Sequence, residues 1–171
     1  LVTGSGRGLG AALARAAGRE KARVVVNCRH DSKAAEAVAA DVQKAGGEAV
    51  VIRADVADFD GARALVETAL AKWGRIDVLV NTVGSFNWNS LVEVEPDEWR
   101  RIVASNLDSV FHMCRLVVPH MRERRFGRIV NFAAVGAAAT LGEPQMAAYS
   151  AAKAGVVALS RALALEEARC G

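Results

Sequence analysis

Residues 1–17 read LVTGSGRGLGAALARAA, an apolar start that runs into a glycine-rich turn and then into strong helix formers. This order is typical of a β-strand that passes through a tight turn into a helix. Glycine lets the backbone approach a phosphate closely, and the first turn of a helix offers free N–H donors and a partial positive charge. The stretch therefore predicts a nucleotide-binding βα unit. A flexible glycine turn that binds nothing is the alternative.

The spacing of the glycines separates two kinds of dinucleotide-binding loop. The common fingerprint, Gly-x-Gly-x-x-Gly, counted from Gly4 would need a glycine at the position of Leu9. Gly4, Gly8 and Gly10 instead follow the pattern Thr-Gly-x-x-x-Gly-x-Gly. The loop therefore departs from the common fingerprint and fits the second pattern.

Short apolar runs rich in branched residues alternate with amphipathic segments along the rest of the chain. The apolar runs, which are typical of buried parallel strands, cover residues 24–26, 49–52, 76–80 and 129–132. Residues 58–73 carry one apolar stripe at helical spacing, and Gly47 and Gly74 stand where helix C-termini favour glycine. The alternation predicts an α/β fold with a doubly wound parallel sheet and helices on both faces, in one domain over residues 1–171.

A tyrosine and a lysine lie four residues apart in the alanine-rich stretch 149–153, YSAAK. Residues at this spacing share one face of a helix. An ammonium group beside a phenol favours the ionised phenolate, so Tyr149 and Lys153 suit proton transfer near neutral pH. The pair alone also fits an ordinary solvated helix, and its meaning depends on the nucleotide-binding motif at the other end of the chain.

Together the two motifs resemble the short-chain dehydrogenase/reductase family. That family has Thr-Gly-x-x-x-Gly-x-Gly at its start and Tyr-x-x-x-Lys far downstream, and both occur here in that order. The resemblance implies a Rossmann-like sheet and hydride transfer between NADP(H) and a small-molecule carbonyl or alcohol, with a 3-oxoacyl thioester or a related ketone as the leading class. The family continues with further strands and a substrate-covering segment, so we expect a partial dinucleotide-binding domain that lacks the last strands.

The resemblance assigns the catalytic roles to Tyr149, Lys153 and Asn106. Tyr149 would be the general acid in reduction, and Lys153 would assist its ionisation and bind the nicotinamide ribose. Asn106 would hold a water in a proton relay to the lysine. It falls on an apolar stripe of a predicted long helix, with Trp99 and Val110, and a buried amide needs partners. The alternative is a helix-bending amide satisfied by the backbone.

The resemblance places the cofactor at the glycine loop and at the ends of the predicted strands. The cofactor-binding residues that it implies are Gly4, Arg7, Gly8, Leu9, Gly10, Cys28, Arg29, Asp55, Val56, Asn81, Gly84, Tyr149 and Lys153. NAD-binding proteins carry an acidic residue near the position of Cys28 for the ribose 2′-hydroxyl, whereas here a neutral residue is followed by Arg29. With Arg7 in the loop, this favours the 2′-phosphate of NADP(H). Two ordinary surface arginines are the alternative.

Two further strand ends carry motif residues. Asp55 would contact the adenine with Val56 at its apolar flank, although an aspartate at a strand end equally caps the next turn. The segment 81–84, NTVG, matches the family's Asn-Asn-Ala-Gly only at Asn81 and Gly84.

The clearest departure concerns the serine that orients the substrate oxygen in this family. The family reads Ile-Val-Asn-x-Ser-Ser or similar, whereas residues 129–134 read IVNFAA and leave Ala134 at the serine position. Losing one donor of oxyanion type typically costs ~10²–10³ in rate. Three possibilities follow: a weakened reductase, a reductase with a substitute donor such as Thr140, Ser85 or water, and an inactive NADP(H)-binding protein with a regulatory or scaffold role.

Composition argues against several other classes of function. The chain has 22 basic and 19 acidic residues, for a net charge of +3, and the basic residues are scattered, unlike those of a nucleic-acid-binding face. The densest group, at 122–125, fits a solvated helix C-terminus. No apolar run reaches membrane-spanning length.

Three distant cysteines and three histidines offer no metal-ligand spacing and indicate reduced thiols in a cytoplasmic protein. We expect no metal, membrane or nucleic-acid partner. The resemblance further implies a homodimer or homotetramer, formed through the helix around Asn106 and the helix that carries Tyr149.

Overall fold

Helices and strands alternate along the computed structural model, which describes all 171 residues. The helices are α1 (Gly8–Arg19), α2 (Ser32–Lys44), α3 (Phe59–Trp73), α4 (Pro96–Val103), α5 (Ser109–Glu123) and α6 (Ala147–Glu167). The strands are β1 (Arg23–Cys28), β2 (Glu48–Arg53), β3 (Val78–Asn81) and β4 (Arg128–Asn131). All four predicted strands are present, although β3 begins at Val78 rather than at Ile76 and β4 ends before Phe132. The predicted helix over 58–73 is α3, with Asp58 as its N-cap.

The strands form one parallel sheet with the N-terminal segment 1–3 at its centre. β1 pairs with β2, and β3 pairs with β4. Val2 bridges to Val26 on one side and to Val80 on the other, and the Thr3 N–H donates to the Val80 carbonyl at 2.9 Å. The order is therefore β2, β1, segment 1–3, β3 and β4. The chain winds outward in both directions from the centre, which confirms the predicted doubly wound sheet.

Helices cover both faces of this sheet, and β1 shows why its sequence is continuously apolar. Val24 and Val26 belong to the cluster beneath α1 and α2. Val25 belongs to the larger cluster formed with α3, α5 and α6. Successive strand residues point to opposite faces, so a strand buried on both sides needs an apolar residue at every position.

A π turn, Ala104–Asp108, joins α4 and α5 into one long helix. Ile102, Asn106 and Val110 are buried on its inner side. Trp99 was expected on the same buried stripe, but it lies in the first turns of α4 and is 38% exposed. No helix in the structure combines the length and the apolar character that crossing a membrane requires.

Candidate active site

The glycine-rich turn begins where segment 1–3 ends and leads directly into α1. Gly4 and Gly8 have φ angles of +60° and +56°, in the left-handed region that favours glycine. Gly10 is needed for a different reason: a Cβ there would lie 2.7 Å from Thr82 Oγ1 and 2.8 Å from the Gly4 carbonyl oxygen. The backbone of the turn therefore packs closely against the segment that follows β3.

A buried asparagine holds this turn in place through hydrogen bonds of its side-chain amide. Asn27 Oδ1 accepts the Gly4 N–H at 3.0 Å, and its Nδ2 donates to the carbonyls of Ile52 and Ala54 at 3.2 and 3.1 Å. One amide thus ties the glycine turn to the end of β2. Sequence reasoning missed this residue, although a polar side chain inside the apolar run of β1 is a usable signal, because buried amides are nearly always hydrogen-bonded.

A groove of about 460 Å³ lies along the carboxyl ends of the strands, where open α/β sheets bind ligands. It is lined by seven of the predicted cofactor residues: Gly4, Arg7, Cys28, Arg29, Asp55, Val56 and Gly84. Gly8 and Leu9 instead lie exposed at the start of α1, while Gly10 and Asn81 are buried beneath the groove. Arg101 and Ser105 also line the groove, and no sequence motif pointed to either.

Two arginines stand at one end of this groove. Arg29 Nη1 lies 3.4 Å from Asp55 Oδ2, while Asp55 Oδ1 accepts the Ala57 N–H at 3.0 Å and so caps the turn after β2. Arg7 is exposed and makes no ion pair. Exposed pairs such as Arg29–Asp55 contribute at most about 1 kcal/mol, so Arg29 can turn toward an incoming anion at little energetic cost.

Tyr149 and Lys153 share one face of α6, as predicted. The Lys153 ammonium lies 5.7 Å from the centroid of the Tyr149 ring and donates to the Phe132 carbonyl at 2.8 Å. The lysine is buried, and this burial lowers its pKa from the ordinary lysine value. The ring of Phe86 packs edge-on against Tyr149, with centroids 6.1 Å apart.

Asn106 lies fully buried in the π turn, and its oxygen lies close to Gly84, as does Lys153 Nζ. Its Nδ2 donates to the carbonyls of Ser85 and Ile102 at 2.6 and 2.9 Å. Carbonyls can only accept, so these two contacts fix which end of the amide is nitrogen. Oδ1 has no hydrogen-bond partner within the chain. A Cβ on Gly84 would lie 2.4 Å from this oxygen and 3.5 Å from Lys153 Nζ, so both atoms border the same small space.

This geometry combines the two alternatives that the sequence left open for Asn106. The nitrogen is satisfied by the backbone at an irregular turn of the helix, and the oxygen remains available to accept a hydrogen bond beside Lys153. π turns are frequent at functional sites.

No hydroxyl occupies the serine position next to Tyr149. Ala133 and Ala134 follow β4, and the downstream Thr140 is exposed and donates to the Ala139 carbonyl at 2.7 Å. The Ser85 hydroxyl pairs with that of Ser105 at 2.8 Å. Both side chains that could substitute for the serine are thus engaged in other hydrogen bonds.

Comparison with known proteins shows which proteins this chain resembles. The family model described as short chain dehydrogenase matches residues 1–171. A 3-oxoacyl-[acyl-carrier-protein] reductase of Synechocystis is 40% identical over the whole chain, which covers 68% of that protein. The corresponding reductase of Staphylococcus aureus is 36% identical over the whole chain and 69% of its own length. A 3beta-hydroxysteroid dehydrogenase of Eggerthella lenta is 37% identical over the whole chain and 65% of its own length.

The fold agrees with solved structures of the same kind. A metagenomic short-chain oxidoreductase in complex with NADP superposes with a TM-score of 0.93 at 35% identity, over 98% of this chain and 75% of that one. The match to the family model over every residue, joined to this superposition, shows that the chain belongs to the short-chain dehydrogenase/reductase family of oxidoreductase enzymes.

Proposed function

We propose that the protein transfers a hydride between NADP(H) and a carbonyl or alcohol substrate, with a 3-oxoacyl thioester or a related ketone as the leading class. The observation that carries this proposal is the position of Gly84. It lines the groove, and a Cβ on it would lie 3.5 Å from Lys153 Nζ. A dinucleotide lying along the groove therefore reaches the Tyr149–Lys153 pair.

The residues present fit a dinucleotide. The glycine turn allows close approach of a diphosphate at the start of α1, and Gly84 leaves room beside the buried lysine. When bound, the nicotinamide supplies or accepts the hydride. In reduction Tyr149 donates its phenolic proton to the substrate oxygen, so that one hydride and one proton convert the carbonyl to an alcohol. The Lys153 ammonium favours the resulting phenolate, and Asn106 Oδ1 holds a bridging water that returns the proton through Lys153.

NADP(H) rather than NAD(H) is the cofactor that we propose. Arg7 and Arg29 border the groove, no acidic residue stands at Cys28, and charge-assisted pairs with a phosphate are strong. The relative solved with NADP supports this preference. The double variant Arg7→Ala, Arg29→Ala is expected to weaken NADPH binding at least tenfold more than NADH binding. Equal losses for the two cofactors would contradict the 2′-phosphate assignment.

Exposed apolar side chains support an apolar substrate. They lie in the loops after β3 and β4 and are Phe86, Trp88, Leu91, Val92, Val135 and Leu141. The Asn89 N–H donates to the Gln145 carbonyl at 3.0 Å and joins the two loops. Exposed apolar patches of this kind are typical of binding surfaces, and this one includes the ring that packs on Tyr149. We infer that an apolar chain or ring lies here, beside the reacting carbonyl.

The test is NADPH oxidation at 340 nm with a panel of ketones and 3-oxoacyl thioesters, alongside NADPH binding measured by fluorescence. We expect turnover that Tyr149→Phe abolishes, because the variant keeps the ring and loses only the proton donor. NADPH binding is expected to survive the substitution. Binding without turnover of any substrate would favour the inactive NADP(H)-binding alternative.

We also propose that the protein self-associates as a homodimer or homotetramer through the long helix α4–α5 and α6. Phe111 on α5 and Leu165 on α6 are large apolar residues that remain exposed. Such residues on long helices suit a self-complementary two-fold contact.

A further inference from the structure

A hydrogen bond between two serine hydroxyls joins two segments of the chain that lie beside the proposed proton relay. Ser85 lies in the segment that follows β3, and Ser105 lies in the π turn between α4 and α5. Their Oγ atoms are 2.8 Å apart, and both residues line the groove. Nothing in the family motif requires a hydroxyl at either position.

The Ser85 hydroxyl already has a partner in this pair. Its Oγ and Ser105 Oγ share one hydrogen, and Ser105 Oγ also lies 3.2 Å from the Ile102 carbonyl. When Ser105 donates to that carbonyl, which can only accept, Ser85 donates to Ser105. In that arrangement the Ser85 hydroxyl is not free to replace the missing active-site serine.

The pair belongs to a closed ring of hydrogen bonds that includes Asn106. Asn106 Nδ2 donates to the Ser85 carbonyl and to the Ile102 carbonyl, and it also reaches Ser105 Oγ at 3.2 Å. The ring thus runs from Ser85 through Ser105 and Ile102 to Asn106 and back to Ser85. Because the amide nitrogen and both serine hydroxyls have partners, the ring favours a single arrangement of the amide.

The oxygen end of the Asn106 amide has little room to move. The amide oxygen is buried and unpartnered, and Gly84, next to Ser85, lies against it so closely that a Cβ would come within 2.4 Å. A shift of the segment after β3 therefore moves Gly84 and the Ser85 carbonyl together. Either movement redirects Asn106 Oδ1 away from Lys153.

We propose that Ser85 and Ser105 are positioning residues whose hydroxyl pair holds the segment after β3 against the π turn and so aims Asn106 Oδ1 at Lys153. The proposal rests on the proposed function for the roles of Asn106 and Lys153. Each serine acts through the asparagine, and neither is hydrogen-bonded to Tyr149.

The kinetic test uses Ser85→Ala, Ser105→Ala and the double variant. Each single variant is expected to lower kcat about tenfold while KM and the NADPH dissociation constant change less than twofold. The double variant is expected to match the singles, because each single change already breaks the same bond. Ser105→Thr keeps a hydroxyl at a partly exposed position and is expected to restore kcat to within twofold of the wild-type value. Thr68→Ala, which removes a hydroxyl from the exposed side of α3 and lies outside the ring, is the control and leaves kcat unchanged.

A second readout does not depend on turnover. The side-chain amide hydrogens of Asn106, followed by NMR, are expected to exchange with solvent at least tenfold faster in Ser85→Ala and Ser105→Ala than in the wild type or in Thr68→Ala. If the wild type shows no turnover, the proposed function fails and this exchange rate alone decides the positioning role. Wild-type exchange in both variants would overturn it, as would loss of kcat that Ser105→Thr does not restore.

Discussion

A methyl group at Ala134 stands where this family has a serine hydroxyl, and the surrounding residues do not replace it. Thr140 donates to its own loop, and the Ser85 hydroxyl is hydrogen-bonded to that of Ser105. In the mechanism that we propose, the phenol of Tyr149 donates to the substrate oxygen. That mechanism keeps the proton donor but lacks the hydrogen bond that a serine at this position would give to the reacting carbonyl.

Ala134→Ser is therefore expected to raise kcat on a simple ketone, by up to about 10²-fold if the serine finds the right geometry. The measurement is the steady-state rate of NADPH oxidation at saturating ketone. Ala138→Ser, in the exposed part of the same loop, is the matched control and leaves kcat unchanged. Equal rates for Ala134→Ser and the wild type would show that another group already orients the carbonyl.

The three cysteines differ in burial, and their reactivity is expected to follow. Burial raises the pKa of Cys114 to about 11, so at pH 8 it stays a thiol, the unreactive form. Cys28 is also buried, whereas Cys170 is partly exposed in the C-terminal turn. We expect one thiol to react rapidly with Ellman's reagent at pH 8 and all three to react in guanidinium chloride.

Cys170→Ser is expected to remove the fast reaction and leave the other two thiols slow. A second fast thiol in the folded variant would contradict the burial of Cys28 or Cys114.

Site residues that follow a short local pattern were predictable from the sequence. Helical spacing alone places Tyr149 and Lys153 on one face. Ser105 and Arg101 were not predictable, because they reach the groove only through the tertiary packing of α4 and of the π turn that follows it. The sequence left two roles open for Asp55, an adenine contact and the cap of a turn. The structure shows that Asp55 caps a turn and pairs with Arg29. Its contact with adenine remains a prediction.

At the scale of elements, the glycine turn and α1 form one unit whose shape depends on Gly10. Gly10→Ala puts a Cβ within 2.8 Å of the Gly4 carbonyl oxygen, so the turn that we propose to bind the cofactor phosphates must change shape. We expect NADPH affinity to fall at least tenfold and the free energy of unfolding to drop by about 1–3 kcal/mol, the usual range for overpacking.

Titration of NADPH fluorescence and urea unfolding measure the two effects of Gly10→Ala. Ala12→Ser, on the exposed side of the same helix, is the control and is expected to bind NADPH normally. Unchanged binding by Gly10→Ala would show that the turn does not contact the cofactor.

The strands were predictable as short apolar runs and the helix α3 by its apolar stripe, but the π turn was not. Its extra residue leaves the apolar spacing of α4 and α5 almost intact, so the sequence indicated one regular helix with Asn106 on its stripe. Asn106 and Ser105 in this turn are hydrogen-bonded to Ser85 in the distant segment after β3, and local spacing does not reveal those partners.

At the scale of the whole molecule, one carboxylate links the start of β3 to the end of α5. Asp77 Oδ1 accepts from Arg75 Nη2 at 2.6 Å and from Arg124 Nη2 at 2.7 Å. The hydrogen bond from Arg75, followed by the positive charges of both arginines, holds the pKa of Asp77 below its ordinary value. A carboxyl with a lower pKa in the folded state stabilises the fold above its unfolded pKa of about 4, and this contribution is lost as pH falls through the folded value.

Asp77→Asn is therefore expected to lower Tm at pH 7 by no more than about 4 °C, since the pair is partly exposed. The difference from the wild type is expected to shrink as pH falls below about 4, where the wild-type carboxylate becomes protonated. Thermal unfolding at several pH values measures it. Asp60→Asn, which removes a more exposed pair with Arg63, is the control. A difference that persists unchanged to pH 3 would contradict the role of the Asp77 charge.

Self-association is a property of the outer surface, and it depends on which apolar residues the fold leaves uncovered. Phe111, on α5, is 47% exposed, and Phe126, just beyond the end of α5, is 44% exposed and packs beside Arg128. Only Phe111 lies on the helices that we propose to pair, so Phe111→Glu is expected to shift a dimer or tetramer to monomer while Phe126→Glu leaves it assembled. Light scattering at micromolar concentration measures both. A folded wild-type monomer would refute the assembly, and dissociation by Phe126→Glu alone would move the contact away from α5.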